Sequence, residues 1–264
     1  MKLRLFPAPK PIIGMIHVGA LPGTPANRLP LGKIVAEAVR EAKIYRAAGL
    51  DGVAVENMHD VPYLRGGGGP EIVACMTVVA QAVKAEFGGV TGIQILAAAN
   101  REALAVAQAA ALDWLRVEGF AFAHVADEGF IDSSAAELLR YRKQIGADRI
   151  EVWADIKKKH AAHALTADVS LGETAAAVEF MRADALIVTG AATGRPPARA
   201  DVTEARAHSS LPVILGSGVD ATNVGQFREA ADGFIVGAAF KQQGRWIRPV
   251  DAARVRAFMK VARR

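Results

Sequence analysis

Titratable side chains stand where several apolar, β-branched runs of this 264-residue sequence end. His17 closely follows the run that begins at Ile12, and Asp155 ends the run that begins at Arg149. A carboxylate and an imidazole on facing strands can serve as general base and general acid when their surroundings separate their pKa values. We therefore expect Asp155 and His17 to form a catalytic pair, with Glu56 as a third catalytic group.

The direction of the Asp155 side chain follows from its position in an extended run. Side chains alternate between the two faces of a strand, so Asp155 points the same way as Trp153 and Glu151. At the end of a barrel strand that direction is the barrel mouth. Structural alternatives remain for both members of the pair: an ion pair with a following lysine for Asp155, and a hydrogen bond that holds the next loop for His17.

Carboxylates from several predicted strand ends suggest a second kind of site. Glu56, Glu118 and Asp155 could gather a hard cation such as Mg²⁺, with a substrate phosphate completing its coordination. A metal-assisted hydrolase or lyase is therefore an alternative to acid–base chemistry without a metal. Because the spacing of these residues does not demand a metal, we predict no cofactor and keep Mg²⁺ as the alternative.

Two glycine turns follow the predicted seventh and eighth strands. They contain Gly216, Ser217, Gly218, Gly237 and Ala238. Glycine lets backbone N–H groups approach an anion closely, and the N-terminus of a following helix adds a positive partial charge. Barrels often hold a phosphate group between these two loops. We therefore predict a phosphate site at these residues.

Further polar residues at the ends of the predicted strands are candidate ligand contacts. They are Asn57, Arg116, Glu118, Lys157, Lys159, His160, Thr189 and Thr193. Basic side chains can neutralise a phosphate, and hydroxyl and amide groups can hydrogen-bond to a sugar. A solvated basic run is the alternative for the lysines, and a structural turn is the alternative for Thr193.

Eight short runs rich in Val and Ile must position these side chains, and an alanine-rich segment of helical period follows each of them. The runs are Ile12 to Ile16, Gly52 to Glu56, Gly92 to Leu96, Trp114 to Glu118, Arg149 to Asp155, Ala185 to Thr189, Pro212 to Gly216 and Gly233 to Gly237. This repetition predicts an α/β fold, a (β/α)8 TIM barrel formed by residues 1–264 as one domain, with residues 1–10 as a short arm. A doubly wound open sheet uses the same local units and is the alternative.

Loop lengths favour the barrel and orient it. The predicted links from helix to strand are short and turn-like, whereas several links from strand to helix are long and carry the unusual polar residues. Catalytic and binding groups of such barrels lie at the C-terminal ends of the strands. We therefore expect the site at that face.

Composition narrows the class of protein. The apolar fraction of 52% is sufficient for a large core, and the single cysteine, Cys75, allows no internal disulfide. The net charge of +5 is spread along the chain without interleaved aromatic residues, so we predict no nucleic-acid partner. No stretch is long and apolar enough for a membrane span. We expect a cytoplasmic protein, associated as a homo-oligomer, with a small phosphorylated ligand as its partner.

Sequence motifs spread over nearly the whole chain resemble the BtpA family, also called BtpA/SgcQ. They are Gly14 to His17 with Leu21 to Pro25, Val55 to Asn57 with Asp60 to Tyr63, Leu115 to Val117, Asp127 to Gly129, Leu138 to Lys143, Ala154 and Asp155 with Lys159 to Ala161, Thr189 and Gly190 with Thr193 and Gly194, and Gly216 to Val219 with Asn223 and Val224. The resemblance implies a barrel of the ribulose-phosphate-binding type.

The resemblance leaves two classes of function open. The family's founding member is linked to photosystem I biogenesis, and other members lie among genes of sugar metabolism. The leading hypothesis is an enzyme, an isomerase, lyase or glycosyl-cleaving enzyme, that acts on a small phosphorylated sugar or ribosyl compound. The alternative is a non-catalytic assembly or regulatory factor that keeps the ligand pocket.

This chain also departs from the family pattern at three strand ends. Alanines at 97–99 replace a charged motif after the third strand, Glu118 stands in the place of an asparagine, and Lys157 stands in the place of a histidine. The glycine turns are retained. These departures argue against a substrate shared with the other family members.

Overall fold

The computed structural model describes residues 3–158, 160–190 and 196–263. Its strands are β1 Ile12–His17, β2 Gly52–Glu56, β3 Val90–Gln94, β4 Trp114–Val117, β5 His124–Ala126, β6 Gly129–Ile131, β7 Glu151–Ile156, β8 Ala161–Ala162, β9 Ala185–Val188, β10 Val213–Leu215 and β11 Gly233–Val236. Eight of them form a closed parallel barrel in the order β1-β2-β3-β4-β7-β9-β10-β11. The (β/α)8 barrel predicted from the sequence is confirmed, and the open-sheet alternative is wrong.

The predicted strand boundaries differ from the observed ones by one or two residues at most ends. The third barrel strand is Val90–Gln94 rather than Gly92 to Leu96, and the fifth is Glu151–Ile156 rather than Arg149 to Asp155. At both strands the apolar run extends beyond the residues that pair with a neighbouring strand. The hydrophobic pattern alone does not show where the hydrogen bonds between strands end.

The helices cover the outside of the barrel. They are α1 Leu31–Ala47, α2 Pro70–Phe87, α3 Asn100–Ala109, α4 Ala135–Gln144, α5 Leu171–Phe180, α6 Arg199–His208, α7 Val224–Phe227 and α8 Ala252–Ala262. Local signals set their ends: Ser170 and Glu173 form a capping box at α5, and Gly88 ends α2 in the left-handed conformation. None of the helices in the described residues combines the length and the apolar character that crossing a bilayer requires.

Only short helical turns directly follow the two glycine turns. After β10 the chain forms α7, a single turn of four residues, and after β11 it forms a 3₁₀ turn, Ala238–Phe240. The helix N-termini expected to add positive partial charge at these turns are therefore those of single helical turns, which carry little of a helix dipole. Any anion there depends on individual backbone N–H groups and nearby cationic side chains.

Two tryptophans fill the barrel interior. The indoles of Trp114 and Trp153 are stacked, with ring centroids 4.0 Å apart and an interplanar angle of 17°. Trp153 packs with inward residues of the other strands, so Glu151, Trp153 and Asp155 share the inner face as alternation predicted. A Cβ at Gly92 would overlap the indole of Trp114, so this glycine makes the space for the stack.

The N-terminal arm closes the bottom of the barrel. Leu3 and Phe6 are buried in the same inner cluster as the tryptophans. Arg4 Nε donates to Glu151 Oε1 at 2.8 Å, and the other carboxylate oxygen accepts from Trp153 Nε1 at 2.8 Å. The barrel interior is therefore closely packed towards the N-terminal ends of the strands. The pocket opens at their C-terminal ends.

A second, three-stranded antiparallel sheet lies above the barrel and was not predicted. Strands β5 and β6 form a hairpin in the loop after β4, and β8, from the loop after β7, pairs with β5. Asp127 and Glu128 form the tip of this hairpin, since Ala126 pairs with Gly129. These two loops are thereby held together on one side of the mouth.

A buried ion pair fixes the loop after β11. Lys241 Nζ lies 2.8 and 2.7 Å from the two carboxylate oxygens of Glu41 on α1, and Lys241 is 1% exposed. The backbone N–H of Val250 donates to the same carboxylate at 3.1 Å. Both ends of residues 241–250 are therefore tied to the barrel wall.

Replacement of Gly92 by alanine is expected to destabilise the barrel by about 3 kcal/mol, because the new methyl group must displace the Trp114 and Trp153 stack. Chemical denaturation monitored by tryptophan fluorescence measures this change. Gly32→Ala is the matched control: Gly32 lies in α1 with open space around it, so alanine should stabilise the protein by about 0.5 kcal/mol. Equal stability of the two variants would contradict the stacking argument.

Candidate functional site

A cavity of about 510 Å³ opens at the C-terminal ends of the barrel strands. The residues predicted for the site that line it are His17, Glu56, Arg116, Glu118, His160, Gly216, Ser217, Gly218, Gly237 and Ala238. Strands from all around the ring therefore contribute to one pocket, at the face that the loop lengths predicted. The volume is that of a site for a small molecule.

His17 and Glu56 lie side by side in this pocket. They are register partners on β1 and β2, and His17 Nε2 lies 3.8 Å from Glu56 Oε2. The Trp246 carbonyl lies 3.2 Å from His17 Nδ1 and can only accept, so Nδ1 carries the hydrogen in this contact. The imidazole is thereby oriented with Nε2 towards the carboxylate.

The glycine turn after β11 lies directly against this imidazole. A Cβ built on Gly237 would come within 3.1 Å of His17 Nε2, so any larger residue there would crowd the ring. The turn after β10 has the same relation to Arg116, whose Nη2 would lie 3.3 Å from a Cβ on Gly216. Both glycines therefore allow a functional side chain to reach the centre of the pocket.

Arg116 and Asp155 form a buried bidentate ion pair between β4 and β7. Arg116 Nε and Nη2 donate to the two Asp155 oxygens at 2.9 and 3.0 Å. Burial acts to lower the pKa of Arg116, but the attraction of Asp155 outweighs it and the pKa is raised. The guanidinium is therefore a permanent cation in the pocket wall.

The structure does not bring Asp155 to the wall of the large cavity. Its side chain is 1% exposed and lies behind Arg116, next to a second cavity of about 20 Å³. Among the described residues the ion-pair partner of Asp155 is Arg116, and not Lys157 as the structural alternative proposed. This geometry favours Asp155 as the group that positions the guanidinium over direct proton transfer to a ligand.

Lys158, rather than Lys157, faces the pocket. The ammonium of Lys157 donates to the carbonyls of Val169 and Thr166, away from the large cavity. Lys158 lines that cavity, and its Nζ lies 3.1 Å from Glu118 Oε2. The alternation of side chains along the strand would direct Lys157 towards the pocket. Lys157 has a φ of +44°, so the backbone turns here and Lys158 faces the pocket instead.

Asn57 and Thr189 do not line the large cavity. Asn57 is buried, donates to Asp60 at 2.9 Å and accepts from the backbone N–H of Leu96 at 2.8 Å. It therefore holds the loop after β2, together with Asp60, which accepts from the N–H of Leu21. Thr189 is buried behind Gly216. Lys159 and Thr193 lie outside the described residues.

The glycine turns offer backbone donors to the cavity. Within the described residues, the N–H groups of Ser217, Gly218 and Ala238 donate to no backbone carbonyl. Gly218 has a φ of +72°, and its carbonyl accepts from Asn223 Nδ2 at 2.9 Å, which fixes the turn. Arg254 lines the same end of the cavity and donates to the Ala239 carbonyl at 2.9 Å.

Several residues of the pocket were missed from the sequence. They are Tyr63, Gln94, Lys158, Trp246 and Arg254. Gln94 had a usable signal, because it is the inward polar residue at the end of β3 and the register partner of Glu56. Trp246 and Arg254 had none, since they reach the pocket from a loop and from α8.

The residues considered as magnesium ligands do not form a metal cluster. Among the described residues, no group of three or more His, Cys, Asp or Glu side chains is placed to hold a metal ion. Glu118 and Asp155 each contact a cationic side chain instead, Lys158 and Arg116 respectively. The magnesium site stays a hypothesis from the sequence.

The closed ring of eight parallel strands and the pocket at its open strand ends define a (β/α)8 TIM barrel. Solved structures that resemble it include a Mycobacterium tuberculosis tryptophan synthase (TM-score 0.62, 18% identity, 97% of this chain and 93% of that chain). Orotidine 5'-phosphate decarboxylase from Pyrococcus horikoshii gives a TM-score of 0.59 with 14% identity, over 96% and 99% of the two chains. At these identities the likeness is one of fold.

The chain belongs to the BtpA family, whose model matches residues 8–264. An uncharacterized mitochondrial protein of Caenorhabditis elegans is 48% identical over 97% of this chain and 95% of its own length. The photosystem I biogenesis protein BtpA of Synechocystis sp. is 33% identical over 97% of this chain and 88% of its own. The resemblance recognised in the sequence motifs is confirmed.

His124, the first residue of the hairpin strand β5, should make the stability of the protein depend on pH. Burial, then the charges of Lys158 and His163, lower its pKa from 6.5 to about 4. The unfolded chain therefore binds more protons between those values, so stability should fall as the pH falls from about 6.5 to about 4. His124→Leu, which cannot be protonated, should flatten this slope in denaturation curves measured across the window.

The exposed His208 provides the control for this measurement. His208→Asn should leave the slope between pH 6.5 and 4 as it is in the unmodified protein. Because the slope is the readout, a general loss of stability in either variant does not affect the comparison. An unchanged slope in His124→Leu would show that this imidazole is not the group responsible.

Proposed function

We propose that this chain binds a small phosphorylated sugar or ribosyl compound at the barrel mouth and acts on it by acid–base chemistry. One observation carries the proposal: a single cavity joins the two glycine turns to the pair of His17 and Glu56. The turn at Gly237 touches the imidazole, so an anion held there would place the adjoining carbon atoms near Nε2. Binding group and reactive group are thus neighbours.

The phosphate end of the ligand would rest on the turns after β10 and β11. The N–H groups of Ser217, Gly218 and Ala238 supply donors, and Arg254 supplies a cation beside Ala239. Asp220 also lines this end, but its Oδ1 accepts hydrogen bonds from Thr222. Charge-assisted bonds to phosphate are about twice as strong as neutral ones, which gives Arg254 a large share of the affinity.

The proton-transfer step would use His17 Nε2. With Nδ1–H donated to the Trp246 carbonyl, Nε2 of the neutral ring is the basic atom and can take a proton from a sugar carbon or hydroxyl. The neighbouring Glu56 carboxylate stabilises the imidazolium that forms, and the ring then returns its proton to the product. Arg116 can stabilise negative charge that develops on an adjacent oxygen.

A second candidate function rests on the name of the Synechocystis relative, a photosystem I biogenesis protein. In that case the pocket would serve as a ligand sensor in an assembly or regulatory factor. The apolar stretch after β3 supports this candidate, since Ala97 lines the cavity where a reactive mouth would concentrate polar groups. The two candidates share the phosphate site and differ at His17.

Phosphate binding is tested by thermal unfolding with inorganic phosphate and with ribose 5-phosphate at millimolar concentration. A ligand at 100 times its Kd stabilises the folded state by about 2.7 kcal/mol, so the melting temperature should rise by several degrees. Arg254→Ala should weaken binding about tenfold, whereas Arg256→Ala, an exposed neighbour on α8, should not. Absence of any shift in the unmodified protein would contradict the phosphate site.

The catalytic candidate is tested with His17→Asn and Glu56→Gln on any phosphosugar that the protein turns over. Loss of the acid–base group should lower kcat by at least about a hundredfold, while phosphate affinity remains. Retention of turnover in His17→Asn would exclude the imidazole as the proton carrier. A ligand that binds tightly without turnover, with both variants still binding it, would favour the sensor.

A further inference from the structure

The wall of the cavity opposite the glycine turns is rich in hydrogen-bond acceptors. The turns follow β10 and β11, and half a ring away lie β3 and β4. Gln94 ends β3, Glu118 follows β4, and the hairpin tip of Asp127 and Glu128 extends from the same loop; all four line the cavity. We call these four residues the acceptor wall. A ligand that spans the pocket must meet it.

Gln94 gives the acceptor wall a buried oxygen to which no described residue donates. The residue is 2% exposed, and its Oε1 has no hydrogen-bond partner in the described part of the chain. A buried amide oxygen without a donor costs about 1 to 3 kcal/mol. Such a group persists in a binding site because a bound molecule supplies the missing donor.

The charges around Gln94 indicate what kind of donor this is. Among the described residues, carboxylates at Glu56, Glu118 and the hairpin tip line this half of the pocket. Of the cations there, Lys158 contacts Glu118. The charges of Arg116 and Asp155 offset each other and Lys158 offsets Glu118, so the two carboxylates of the hairpin tip give this half of the pocket its negative charge.

Tyr63 lies among the same carboxylates. Its hydroxyl donates to the Met58 carbonyl at 2.8 Å and lies at the cavity. Burial raises the pKa of Tyr63, and Glu56, Glu128 and Glu118 raise it further, because a second negative charge is unfavourable beside them. A positive charge at the same place would be favoured for the same reason.

We propose that the ligand carries a protonated amino group at the end away from its phosphate, and that Gln94 and Glu128 receive this group. An ammonium offers three donors and no acceptor, which matches a wall of amide and carboxylate oxygens. A neutral polyol would satisfy Gln94 but would leave the negative charge uncompensated. The inference rests on the proposed function for the phosphate end and names an amino-sugar phosphate or a similar aminoalkyl phosphate as the substrate class.

A matched pair of ligands tests the amino group. Glucosamine 6-phosphate and glucose 6-phosphate differ at one position, ammonium against hydroxyl, and isothermal titration measures both against inorganic phosphate. The unmodified protein should bind the amino compound about tenfold more tightly, as expected for a charge-assisted hydrogen bond. Equal affinities for the two sugars, with inorganic phosphate bound, would overturn the proposal and leave the phosphate site intact.

Two variants locate the preference at the acceptor wall. Gln94→Met should abolish most of the tenfold difference while the melting temperature stays the same or rises, because an oxygen without a partner is removed. Glu128→Gln, at the half-buried hairpin tip, should reduce the difference without affecting folding. Glu137→Gln, an exposed carboxylate on α4 outside the cavity, is the control and should keep it. A preference retained in both wall variants would overturn the assignment.

Failure of the phosphate site is distinguishable in the same titrations. If neither sugar phosphate nor inorganic phosphate binds, the proposed function is wrong. Glucosamine and glucose, tested without phosphate at millimolar concentration, then address the acceptor wall alone. A preference for glucosamine that Glu128→Gln removes would support the amino-group site, and no preference would overturn it.

Discussion

The ion pair between Arg116 and Asp155 is the interaction on which the mouth of this barrel depends. Both side chains point into a closed ring of strands, where an unpaired charge is costly: removal of one partner of such a pair costs about 3 to 5 kcal/mol. The pair also ties β4 to β7, whose following loops build the hairpin sheet. The need to pair buried charges thus places the Arg116 guanidinium, a permanent cation, in the pocket wall. The absence of a side chain at Gly216 leaves space for this guanidinium.

Beneath this ion pair the barrel interior is filled by packed side chains. This packing determines how far along the barrel axis the site lies. The Trp114 and Trp153 stack fills the middle, and Phe6 from the N-terminal arm packs against Trp153. Because close-packed interiors leave little room for movement, the polar layer above cannot sink into the barrel. His17 and its neighbours are therefore presented at the open end, where strand pairing and packing hold them more rigidly than loops would.

The barrel was predictable because three local patterns agree with it. These are the apolar strand runs with alternating side chains, the amphipathic helices, and the short links from helix to strand. The inward direction of His17 and Asp155 follows from the same alternation. The prediction of Lys157 as a ligand contact failed because the chain is no longer an extended strand there. The positive φ of Lys157 turns Lys158 towards the pocket instead. Prediction from the sequence also failed for Trp246, which reaches His17 through a loop held by the distant pair of Lys241 and Glu41, a contact that no local pattern encodes.

The ring order of the strands gives the pocket its two unlike ends. A Cβ at Gly216 would come within 2.5 Å of Ile187, and a Cβ at Gly237 within 3.1 Å of His17, so these turns keep a bare backbone. Their N–H groups at Ser217, Gly218 and Ala238 donate to no backbone carbonyl among the described residues. The end of β3 and the loop after β4 lie half a ring away and carry acceptors: the amide of Gln94 and the carboxylates of the hairpin. Donors and acceptors are thus separated by the width of the barrel rather than paired with each other. Under the proposed function, this separation would select a molecule with opposite polarity at its two ends and would hold the atoms between those ends beside the imidazole of His17.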